Sequence, residues 1–61
     1  MKNEITVIIL TLNEEANISY CLNNVVEWAN EVIVIDSLST DSTVTISKSL
    51  GAKVFFRKFH R

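Results

Sequence analysis

With 61 residues, the chain can bury only about 60% of the surface that it exposes when unfolded, so its stability is marginal. Hydrophobic residues make up 48% and charged residues 21%, with no proline and a single glycine, a composition that excludes a disordered or low-complexity segment. The formal net charge of -1 points to neither a nucleic-acid partner nor an acidic one.

At the start of the chain, Met1 to Glu4 precede an apolar run in the manner of a signal peptide. Thr11, Asn13, Glu14 and Glu15 end that run too soon, and no small-residue cleavage site follows. The run is also far short of the ~20 residues that a membrane span requires. From Ile5 to Thr11 it is β-branched and apolar on both alternating faces, which predicts a central strand of a parallel sheet. Next, Ile18, Cys21, Leu22, Val25, Val26 and Ala29 recur at helical spacing, with Asn17, Asn23, Asn24 and Glu27 off the stripe. Trp28 is placed to cover the flank of that stripe. Cys21, the one cysteine, falls on the stripe and so in the core; it allows no intrachain disulfide, as expected of a reducing cytoplasm.

Val32 to Ile35 repeats the two-faced apolar pattern and predicts a second central strand. A weaker helix follows, with Thr43, Ile46 and Leu50 on one face and Val44 beside them. Ser39 or Thr40 can cap its start, Asp41 favours its positive end, and Gly51 can stop it. Ala52 to Arg57 reads as a third strand. The order βαβαβ gives an α/β, Rossmann-like half-domain with a parallel sheet. Right-handed crossovers put both helices on one face, and the other face is left apolar and bare. Soluble monomers rarely tolerate such a patch, so residues 1–61 are expected to be an incomplete part of a longer catalytic domain unless self-association covers the face.

The chemistry-bearing residues gather at two strand ends. One is Val32-Ile33-Val34-Ile35-Asp36-Ser37-Leu38-Ser39-Thr40-Asp41-Ser42-Thr43, an apolar strand closing on a carboxylate and a hydroxyl-rich turn. The other is Val7-Ile8-Ile9-Leu10-Thr11-Leu12-Asn13-Glu14-Glu15. In open α/β sheets ligands lie beyond the carboxyl ends of the strands, where an acid can accept from a base N–H or a ribose hydroxyl. Each residue also has a purely structural reading. Asp36 can cap its own turn, Asn13 and Glu14 can start the first helix, and Asp41 can start the second.

The two segments, in this order and followed by Gly51-Ala52-Lys53-Val54, resemble the N-terminal part of a family 2 glycosyltransferase over roughly residues 4 to 57. Among these enzymes the chain is most similar to the bacterial lipopolysaccharide-core and cell-surface polysaccharide branch. The resemblance implies the GT-A nucleotide-diphospho-sugar transferase fold, with a nucleotide-sugar donor site touched here by Thr11, Leu12, Asn13, Glu14, Asp36 and Ser37. Asp36 holds the first acidic position of the family's Asp-Asp-Gly-Ser motif, where Ser37 replaces the second acid and Leu38 the glycine. Leu12 stands where an aromatic often precedes Asn-Glu, so stacking on a base would be poorer.

By the same resemblance, the whole enzyme transfers a sugar from a nucleotide diphosphate, uridine being favoured, to a glycan or lipid-linked acceptor by direct displacement. Mg²⁺ or Mn²⁺ would assist the leaving diphosphate. The implied setting is the cytoplasm, with peripheral membrane association at the inner face. No catalytic residue and no metal ligand is expected within this chain, because the implied Asp-x-Asp motif and the base are absent, as are a glycine-rich phosphate loop and a His/Cys cluster. His60 reads as exposed. Lys53, Arg57, Lys58 and Arg61, with no acid among residues 53–61, read either as a solvated strand end or as a contact to phosphate or an anionic membrane. Two rivals remain: a receiver-like signalling module using Glu14, Glu15 and Asp36, and a small noncatalytic nucleotide-binding or assembly module.

Overall fold

The computed structural model describes residues 4–58; His60 and Arg61 lie outside them, as do residues 1–3. Five elements follow in the expected order: β1 (Thr6–Thr11), α1 (Glu15–Val26), β2 (Glu31–Asp36), α2 (Thr43–Ser49) and β3 (Lys53–Phe56). All three strands are parallel in the order β1-β2-β3. Thr11 pairs with Asp36 and Asp36 with Phe56, so the three strands end in one row. A receiver-like sheet places its first strand between the second and third. Here β2 takes that place, which sets the receiver reading aside.

Both helices lie on one face of the sheet, as right-handed crossovers require. Beneath them Ile18, Leu22, Ala29, Val32, Val34 and Ala52 form the core, with Val7, Ile9, Val25, Val26, Ile46, Leu50 and Val54 packed around it. The opposite face is bare. Ile8, Leu10 and Phe55 are 59%, 64% and 56% exposed, and Ile33 and Ile35 between them are half-buried.

Three expectations need correction. Only β2 is central; among the described residues β1 has one neighbouring strand and is an edge. Cys21 is exposed: it lies beside Ile9, Leu10 and Thr11 of this edge strand, where no further strand among the described residues covers it. The start of α2 is capped by Asp41, whose Oδ1 accepts from the Thr43 N–H at 2.9 Å, while Ser39 and Thr40 turn back toward Asp36 and Asn13. Gly51 behaves as expected. With φ +91° it ends α2, and the Ala52 N–H donates back to the Ser47 carbonyl at 3.1 Å.

Candidate functional site

Asp36 closes β2 and is 0% exposed. An ion pair would be the usual compensation for a buried carboxylate. Instead, three donors meet it: Thr11 Oγ1 and Ser39 Oγ each donate to Oδ1 at 2.6 Å, and the Ser39 N–H donates to Oδ2 at 2.7 Å. Burial pushes the Asp36 carboxyl up, but the Ser39 and Thr11 hydrogen bonds outweigh it and hold the group below its ordinary value. Asp36 therefore stays ionised at neutral pH and fixes the turn after β2.

Around this carboxylate the two loops interlock. The Asn13 N–H donates to Ser39 Oγ at 2.8 Å, and Asn13 Oδ1 accepts from the Thr40 N–H at 2.8 Å. The Glu14 N–H donates to Thr43 Oγ1 at 2.8 Å, and the Glu15 N–H to Asp41 Oδ2 at 3.2 Å. In return Glu15 Oε2 accepts from the Ser42 N–H at 3.4 Å. Thr43 Oγ1 in turn donates a hydrogen bond to Asp41 Oδ1. Three successive amides at the entrance of α1 are thus capped by side chains of the other loop. A helix entrance of this kind often binds phosphate. Here the amides of Asn13, Glu14 and Glu15 are already committed, so this rim is not a phosphate cradle.

Asn13 and Leu38 both occupy the left-handed region, at φ +52° and +59°. Asn tolerates that conformation, whereas a leucine is strained by it. Leu38, at the position where the resemblance expects a glycine, thus takes a conformation that a glycine would adopt without strain.

Of the six residues expected at the site, Thr11 and Asp36 are joined directly, and Asn13 and Glu14 sit on the adjoining loop with their amides engaged by Ser39 and Thr43. Leu12 is 52% exposed beside them. Ser37 continues the β1–β2 ladder, its N–H donating to the Thr11 carbonyl at 2.9 Å. Ser39, Thr40 and Thr43 also organise the rim, and the run of hydroxyls after Asp36 is the only sequence signal of that role. The Arg57 N–H donates to the Asp36 carbonyl at 2.9 Å, so the basic segment leaves β3 next to this rim. Among the described residues no His, Cys, Asp and Glu cluster suits a metal ion. Asp36 and Asp41 also spend both oxygens on N–H and O–H donors, so they do not fit as ligands of the divalent metal that the resemblance implies.

The profile of glycosyl transferase family 2 matches residues 6–61. The chain belongs to that family. An uncharacterized glycosyltransferase of Rickettsia bellii is 52% identical to it over 54 residues, which cover 88% of this chain and 18% of that protein. The glycosyltransferase SunS of Bacillus subtilis is 52% identical over 44 residues, covering 72% of this chain and 10% of its own. Among solved structures, glucosyl-3-phosphoglycerate synthase of Mycobacterium tuberculosis superposes with a TM-score of 0.79 at 35% identity, over 87% of this chain and 20% of the synthase. That synthase was crystallised with Mn²⁺, UDP-glucose and phosphoglyceric acid, and also with UDP. The family 2 chain thus has the βαβαβ fold of the N-terminal, Rossmann-like half of a GT-A glycosyltransferase, and it spans a tenth to about a fifth of the length of these relatives.

Proposed function

We propose that this chain forms the base-and-ribose end of the donor site in a glycosyltransferase that uses a nucleotide sugar, with uridine as the nucleoside. The observation that carries this reading is the 35% identity, at a TM-score of 0.79, with a synthase solved around UDP-glucose. The rim supports it chemically. Leu12 offers an exposed apolar surface for a base, Glu14 an exposed carboxylate for ribose hydroxyls, and Ser37 a polar group beside them at the end of the central strand. Asp36 acts by holding this rim in shape. Residues 1–61 would then be part of one larger domain, whose remainder supplies the metal ligands, the base and the cover for the bare face. For the acceptor we propose a glycan or lipid-linked molecule of cell-surface polysaccharide synthesis, used at the cytoplasmic side of the membrane.

Titration of the chain with UDP, followed by amide chemical shifts, tests the donor reading. A nucleotide held at one end gains few contacts against the cost of immobilising it, so binding is expected in the millimolar region. Shifts should concentrate at Leu12, Glu14 and Ser37. Shifts confined to the opposite end of the sheet, around Asn30 and Gly51, or no shifts at all, would defeat it.

A further inference from the structure

Two loops that come from different crossovers are joined through Asn13, Glu14 and Glu15, and Asn13 makes the most of these bonds. Asn13 contributes both a donor and an acceptor to the second loop: its N–H goes to Ser39 Oγ, and its Oδ1 takes the Thr40 N–H together with Thr40 Oγ1 at 3.4 Å. Ser39, in turn, carries two of the three hydrogen bonds to Asp36. The path from Asn13 to the buried carboxylate therefore runs through one side chain. The positive φ of Asn13 aims the side chain back across the gap, and Asn is one of the few residues with a side chain that accept this conformation readily.

We propose that Asn13 is a positioning residue of the donor rim: by clasping Ser39 and Thr40 it ties the first loop to the turn after Asp36 and sets the orientation of the Ser37 and Asp36 end of the site, without itself touching the nucleotide. Its nucleotide arm rests on the donor reading above; its mechanical arm does not. Leu12 and Glu14 flank Asn13 on the first loop, and Ser37 leads into the second. Relative motion of the loops would therefore separate the groups on either side of a base and ribose. A clasp that removes this motion lowers the ordering cost of binding.

Two substitutions separate the roles. Asn13→Gly keeps the positive φ at no steric cost and deletes the whole amide side chain, acceptor and NH₂ together. Asn13→Asp keeps the acceptor and replaces the amide NH₂. In nucleotide-free protein, Asn13→Gly should speed amide exchange at Thr40 by about tenfold or more, the consequence of losing one net hydrogen bond, and Asn13→Asp should preserve the protection. UDP affinity should fall by about tenfold in Asn13→Gly and return to within about twofold of the parent in Asn13→Asp. Unchanged exchange at Thr40 in Asn13→Gly would overturn the clasp. If Asn13→Asp kept Thr40 protected yet lost UDP as fully as Asn13→Gly, Asn13 would be a ligand contact instead. A parent chain that failed to bind UDP would count against the donor reading, while the exchange measurement would still decide the clasp.

Discussion

At the carboxyl ends of the strands, the buried polar side chains among the described residues all have hydrogen-bond partners, whereas across the uncovered face of the sheet Ile8, Leu10 and Phe55 stand largely in water. The difference follows from the range of the two interactions. A hydrogen bond is satisfied by one neighbour at a fixed distance, which two short loops can supply. Apolar surface is satisfied only by area, and a sheet face of three strands needs a further layer of structure. One end of the molecule is chemically finished; one face is not.

The largest expected effect breaks the finished end. Asp36→Ala leaves the Thr11 hydroxyl and the Ser39 donors without their buried acceptor, and should cost about 3 kcal/mol, the range for hydrogen bonds to a charged group. For a chain this small the loss should show as near-complete unfolding in a urea titration. A loss under about 0.5 kcal/mol, typical of surface changes, would mean that the network is not buried in solution.

Acidification probes the same carboxylate more gently. Burial raises and the Ser39 and Thr11 hydrogen bonds lower the pKa of Asp36, with a net depression. A group depressed in the folded state contributes stability above its unfolded value, near 3.9, and loses it as the pH falls through the folded value. The chain should therefore hold its stability from neutral pH to about pH 4 and lose it below, and Asp36→Asn should flatten that loss. Far-ultraviolet circular dichroism against pH measures both curves, and identical curves would separate Asp36 from the acid transition.

The bare face should respond in the opposite sense. Replacing both Leu10 and Phe55 with lysine should reduce the fluorescence of a bound hydrophobic dye while changing unfolding free energy by no more than about 0.5 kcal/mol, because neither side chain is buried. Destabilisation well beyond that would show that the face is covered in solution by a second copy. The smallest effect belongs to Leu38→Gly. Relief of the +59° backbone should stabilise by up to ~1 kcal/mol, reduced by the greater freedom of an unfolded glycine. A destabilised Leu38→Gly chain in urea would assign Leu38 a packing role that its 57% exposure does not suggest.

Much of the architecture could be read from local pattern. The two β-branched runs, the stripe through Ile18 and Leu22, and Gly51 after Leu50 each encode an element by period or by backbone preference, and such signals act over a few residues. Crossover handedness then dictated which face lies bare. Three features were decided only in three dimensions. Among the described residues strand order makes β1 an edge and leaves Cys21 exposed, which the helical stripe alone assigns to the core. The caps of α1 come from Ser39, Thr43 and Asp41, more than two dozen residues away, where no rule of adjacent sequence would look. Asp36 fell at the predicted strand end, but its burial and its donors Thr11 and Ser39 depend on the pairing of β1 with β2. Element type is set by neighbours along the chain, whereas the partners of a polar group are set by which chain segments the fold brings within about 3 Å.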